Sequence, residues 1–236
     1  MTHAWTHGSA LLAPALLLVA LAGPVGATSA EPVLCPSIDI SVQGADEALT
    51  DQICGGAERA LTALDSCHLT QAQPISISVL PEVIHPTTGM HCLALANCID
   101  QSIQVTHPDF IAAAVAANPV YSQIPTEDLF ISLIAHELTH LLISQTTAAN
   151  LNPTDHEYMA YAMQMSSLPA ASRQVLLDQV RDLTAVNPGW INDFILNFKP
   201  TLFAAYVWLN FSRPENGCAQ FQRLMDREIT FGLISY

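Results

Sequence analysis

Between Pro74 and Pro81 the chain reads Ile75-Ser76-Ile77-Ser78-Val79-Leu80, an alternation of apolar and polar positions that predicts a half-buried strand. A second alternation, Ser102-Ile103-Gln104-Val105-Thr106, predicts another strand ending at His107-Pro108, and the Pro-, Gly- and Cys-bearing stretch between them reads as a loop. Elsewhere the apolar period is three to four, the spacing of helices. It predicts a helix over 46–66 with Gly55-Gly56 as an interruption, and a short Ala-rich helix over 109–117. A long helix follows, with Thr126 as N-cap, Glu127 and Asp128 complementing the dipole of the first turn, and an end near Ser144. Thr146 to Pro153 reads as a polar loop, and Thr154 opens a helix through Met163. Further helices are expected over 170–184, over 188–210 with a break at Pro200, and over 215–227. Strands come early and helices late, without βαβ alternation, so the expected class is α+β.

The first thirty residues contain no Asp, Glu, Lys or Arg, and Leu11 to Ala22 is an apolar run ending in Gly23-Pro24. That is the h-region of a signal peptide, too short to span a bilayer comfortably, with small-residue cleavage positions after Ala27 or Ala30. Taking Ala30, residues 31–236 form one domain in a secreted or periplasmic protein. All six cysteines lie beyond the leader, which suggests three disulfides, with Cys92–Cys98 the favoured pair as a loop staple. The formal net charge of -14 disfavours nucleic acid and anionic lipid as partners, and no later segment is long enough to cross a membrane.

Chemistry is legible in one place, Ala135-His136-Glu137-Leu138-Thr139-His140-Leu141, where H-E-x-x-H sits inside an apolar helical run. Residues four apart on a helix share a face, so the imidazoles of His136 and His140 can reach one metal ion while Ile134, Leu138, Leu141 and Leu142 supply a buried side. Glu137 is then placed to take a proton from water as a general base. Without the metal, the same pattern is two solvent-facing histidines on a surface helix. A catalytic zinc needs a third protein ligand and an open position. Glu157, on the next helix, is the best candidate, with Asp155 and His156 as rivals; Thr154-x-x-Glu157 is also a capping box in which Glu157 would bond back to the backbone.

The pentapeptide His136-Glu137-Leu138-Thr139-His140 is that of the thermolysin-type gluzincin metallopeptidases, and Glu157-Tyr158-Met159-Ala160 resembles the E-x-x-A segment carrying their third ligand. The resemblance covers residues 131–162. In outline the chain is also similar to small secreted bacterial proteins of uncharacterised function that carry this motif. The resemblance implies a zincin-like fold, Zn2+ held by His136, His140 and Glu157, Glu137 as general base, and a strand at 102–106 bordering the substrate cleft. It departs at Tyr161, where gluzincins often place a carboxylate, so the groups behind the histidines stay undetermined. Tyr158, Tyr161 and His107 are the possible transition-state donors. The expected function is that of a secreted zinc metallopeptidase acting on peptides or proteins. The alternatives are a non-catalytic exported binding protein of the same fold and a zinc amidase acting on cell-wall peptides.

Overall fold

A computed structural model describes residues 31–147 and 151–232; the expected leader lies outside the described residues. The chain opens with β1 (Val33–Leu34) and β2 (Ile40–Gln43), and Asp46 then accepts a hydrogen bond from the Leu49 amide to start α1 (Glu47–Ser66). The turn between β2 and α1 requires Gly44: its φ is +78°, and a Cβ there would lie 2.3 Å from the Val79 carbonyl oxygen. Next come β3 (Ile75–Leu80), a hairpin of β4 (Val83–Ile84) and β5 (His91–Cys92), then β6 (Ala94–Asn97) and β7 (Ser102–Thr106). The helical part is α2 (Pro108–Val115), α3 (Thr126–Thr146), α4 (Pro153–Ser167), α5 (Ala170–Leu177), α6 (Asp193–Phe198), α7 (Pro200–Phe211) and α8 (Cys218–Met225). The chain is thus α+β, a small N-terminal sheet followed by a mostly helical part.

Five strands form a mixed sheet in the order β1-β2-β3-β7-β6, with β2, β3 and β7 parallel and the two edges antiparallel. The β2-α1-β3 connection is a parallel crossover, a βαβ unit the periodicity did not foretell. Only Ile40 and Val42 of β2 face the core, too few positions to make a visible alternation. The stretch expected to be a loop likewise holds the hairpin and the edge strand β6. Two-residue strands carry no period, and Ala94-Leu95-Ala96-Asn97 has neither alternation nor β-branched residues.

Helix α3 is the centre of the molecule, packed by α1 on one side, α4 on another, and β6 and β7 beneath. It is buried nearly all round, with even His136 and Glu137 only 8% exposed, so its polar groups face an internal cleft instead of a solvated surface. Gly56 permits the approach of α1, because a Cβ there would stand 2.9 Å from the Ile131 side chain. The glycine pair read as an interruption thus lies within a continuous helix, and its second member is a packing device. Thr126 is the first helical residue of α3, and Pro125 takes the N-cap position.

Two disulfides are present, Cys35–Cys54 and Cys67–Cys218, while Cys92 and Cys98 are free thiols. The expected Cys92–Cys98 staple is precluded by β6, whose four extended residues between them span roughly 10 Å, beyond the reach of a disulfide. Cys67–Cys218 ties the end of α1 to the start of α8 across 151 residues, whereas Cys35–Cys54 closes 19. Loop-closure entropy predicts that replacing Cys67 and Cys218 by Ser lowers unfolding free energy by about 5 kcal/mol, against about 3 kcal/mol for the shorter link. Denaturant titration of the two double variants checks the order. Among the described residues no helix is long and apolar enough to cross a membrane.

Candidate metal centre

One helical turn apart on α3, His136 and His140 bring their Nε2 atoms to 3.2 Å. The third member comes from α4, whose start is set by Asn152: its side chain accepts from the Asp155 amide, and Pro153 occupies the first turn. The Thr154 hydroxyl is used elsewhere, on Asp193, so the alternative capping box does not form and the Glu157 side chain is released towards α3. Its carboxylate oxygens lie 3.4 Å from His136 Nε2 and 3.5 Å from His140 Nε2. The rivals are occupied or displaced. Asp155 is buried against the Phe231 amide and the Thr230 hydroxyl, and the His156 ring lies 6.0 Å from that of His140, outside the trio.

The trio fits a metal ion. Ligand atoms about 2.0–2.1 Å from a tetrahedral zinc are separated by about 3.3 Å, close to all three observed separations. The tautomer fits too. Gln164 Oε1 stands 3.1 Å from His136 Nδ1 and can only accept, so Nδ1 carries a proton and Nε2 is the atom left to face a metal held with the other two ligands. Gln164 is held in turn through Ser132, whose hydroxyl its amide reaches at 3.3 Å. Two imidazoles and a carboxylate converging in a buried site call for a cation among them, either a metal ion or the proton that Glu157 helps to hold on His136. A metal ion can be held by His136, His140 and Glu157.

Burial lowers His136, but the hydrogen bond and charge of Glu157 outweigh it and raise this imidazole above its ordinary value, so that without a metal a proton occupies the trio. Burial, with His136 and His156 adding to it, pushes His140 down to about 4, the neutral form a ligand requires. Glu157 is held at about 2, because the hydrogen bond and charge of His136 and the neighbouring histidines outweigh its burial. Glu137 behaves oppositely: burial foremost, with the Glu157 charge, pushes it up to about 7. The Ala96 backbone amide hydrogen-bonds its carboxylate, fixing Glu137 between α3 and the edge strand.

These groups line a cleft of about 540 Å³ walled by Leu93–Ala96, Leu133, Tyr121 and Tyr161. The strand bordering it is therefore β6, and the 102–106 strand lies one position further into the sheet. In the antiparallel pair, Thr106 donates to Leu93 O, and the alternation of an antiparallel ladder turns the backbone groups of Ala94 and Ala96 away from β7. Tyr161 lies in the cleft, edge-on to the His136 ring at 4.7 Å. The other two expected donors are placed elsewhere. Tyr158 is fully buried, stacked on Phe231, with its hydroxyl donating to Asn210 Oδ1, and His107 caps α2 by accepting from the Asp109 amide. Tyr158 follows Glu157 directly, so on a helix its side chain points some 100° away from the metal. Gln164 and Tyr121 were not foreseen. Gln164 stands seven residues after Glu157, two turns along one face of α4, a signal present in the spacing; Tyr121 sits in a 3-10 turn before the motif helix and left none.

A model of proteins of unknown function, DUF6639, matches residues 40–233. The chain belongs to the DUF6639 family. No curated protein and no solved structure matches it. The DUF6639 match takes in the sheet except its edge strand β1, together with α3 and α4, and with them all three metal-site residues and Glu137. Within this DUF6639 chain, Gln164→Leu is expected to weaken metal binding roughly 10–100-fold by freeing the His136 ring and its tautomer, with the fold intact. Competition with a chromophoric chelator measures the change.

Proposed function

We propose that the protein is a secreted zinc-dependent peptidase. The observation that carries this reading is a two-histidine, one-carboxylate trio spaced as the edges of a zinc coordination tetrahedron, with a buried carboxylate beside it on the same helix. Two imidazoles and one carboxylate suit Zn2+, and three protein ligands leave one position open. When bound, the ion supplies Lewis acidity towards water and a peptide carbonyl. Glu137 takes the proton of the attacking water on its carboxylate and delivers it to the departing amine. A proton affinity near neutrality suits both halves of that task. The Ala94 backbone groups and the Ala96 carbonyl on the open side of β6 align an extended peptide across the cleft, while the Ala96 N–H holds Glu137. Tyr161 and Tyr121 remain protonated, since burial pushes Tyr121 up to about 12 and raises Tyr161 well above its ordinary value, and Tyr161 donates to the developing oxyanion. The two disulfides and the leader-like first thirty residues support an oxidising, exported setting.

The test is incubation of zinc-loaded protein with a complex peptide mixture, read by mass spectrometry. New termini in the wild-type digest, absent after chelation and in Glu137→Gln, are the expected result. A stoichiometrically zinc-loaded protein that leaves the mixture intact contradicts the reading.

A further inference from the structure

The two ends of α7 face different cavities. Pro200 borders the metal cleft, and Asn210, about 15 Å further along the helix, lines a separate cavity of about 670 Å³. Asn210 and Gln220 in its wall are only 4% and 5% exposed. The side-chain oxygen of each is engaged: Asn210 Oδ1 accepts from the Tyr158 hydroxyl at 2.7 Å, and Gln220 Oε1 accepts from Arg223 Nη1 at 3.3 Å. Their amide nitrogens donate to nothing among the described residues. Among the described residues no side-chain polar atom closed off from solvent lacks a partner, so both nitrogens keep accessible surface, and both residues line the cavity. Buried amide donors lining a cavity call for an acceptor there.

The charge around them is unusual for this chain. Arg213 and Arg223 flank the cavity, two of only seven Lys and Arg residues in a protein of net charge -14. Arg213 is gripped through Nε by Glu215 at 2.9 Å, which orients the guanidinium while its terminal nitrogens make no hydrogen bond among the described residues. Arg223 is held more loosely, 3.8 Å from Glu228. The rest of the wall includes apolar Ile191, Ile229 and Phe231. Two fixed amide donors and a guanidinium match the planar, two-oxygen acceptor of a carboxylate, and the apolar wall matches a hydrocarbon side chain.

The geometry points to a second binding site, independent of the metal cleft, for the carboxylate of an apolar organic acid or of a peptide C-terminus: Asn210 Nδ2, Gln220 Nε2 and Arg213 receive the carboxylate, and the side chain lies against Ile229 and Phe231. This assigns Tyr158 a place too. Its hydroxyl orients Asn210 so that the nitrogen, not the oxygen, faces the cavity.

Titration calorimetry on purified, metal-free protein tests this with N-acetyl-leucine, N-acetyl-leucinamide, an N-acetylated tripeptide ending in leucine, and inorganic phosphate. Metal-free protein removes carboxylate binding at the trio. The acid is expected to bind roughly tenfold or more tightly than the amide, and Gln220→Leu and Arg213→Gln to weaken it by a similar factor with unchanged melting temperature. Asn210 is left in place because its loss would strand the Tyr158 hydroxyl in the core. Tighter binding of the tripeptide than of the amino acid assigns a peptide C-terminus, and equal binding assigns a free acid; either supports a carboxylate site. Equal affinity for acid and amide, displacement by phosphate, no binding of any acid, or binding indifferent to both variants overturns it.

Discussion

Replacing Glu137 with Gln is expected to lower peptide hydrolysis roughly 10²–10⁴-fold while leaving zinc content unchanged, because the amide keeps the shape and the Ala96 hydrogen bond but cannot take a proton. The same substitution is expected to stabilise the metal-free protein at alkaline pH. Glu137 lies at about 7 in the folded chain against an ordinary 4.5, so the folded state holds its proton more tightly than the unfolded state does. A raised carboxyl costs stability as pH climbs from 4.5 to 7, and the cost is constant above that window. The difference of about 2.5 pH units corresponds to roughly 3 kcal/mol at most. Glu137→Gln therefore melts higher than wild type at pH 8, and the gap closes towards pH 4.5. Paired thermal melts and rates at several pH values read both effects from one variant. A variant that cleaves at the wild-type rate removes Glu137 from the mechanism.

The second large effect carries the opposite sign for stability. Glu157→Ala is expected to weaken zinc binding by well over the 10–100-fold that loss of an outer hydrogen bond costs, because a direct ligand is removed. In metal-free protein it also destabilises. Glu157 is held at about 2, below its ordinary 4.5, so its ionised form contributes stability that is fully present above pH 4.5 and disappears as pH falls through 2. At neutral pH the Ala variant loses that contribution, and two close imidazoles lose their acidic partner. Neighbouring acidic residues of one cleft thus give melting shifts of opposite direction, an outcome that a generic surface role for either would not produce.

What the sequence disclosed follows from which forces leave a periodic trace. Strands β3 and β7 were legible because each carries an apolar-polar alternation over five or six residues, and helix α3 because its long apolar run holds the H-E-x-x-H spacing, although it is buried nearly all round. His136, His140 and Glu157 were legible because metal ligands need fixed spacing on helices, and the structure brings the three together. Strands β4, β5 and β6 were not, since two to four residues cannot establish a period and β6 is half-buried with small side chains. The pairing of Cys67 with Cys218 depends on how α1 and α8 meet across the fold, and no local pattern encodes it. The roles of Tyr158 and Asn210 were hidden for the same reason: a contact across 52 residues decides that one tyrosine faces the core while Tyr161, three positions on, faces the metal cleft.

The most direct test of the account is zinc-edge X-ray absorption on the wild-type protein after zinc loading and dialysis. The account predicts about one zinc per chain, with nitrogen and oxygen neighbours at about 2.0–2.2 Å, including the outer-shell scattering of two imidazoles. A sulfur shell at about 2.3 Å, which would enlist a free thiol such as Cys98 at the cleft wall, or a folded protein that retains no zinc, would contradict it.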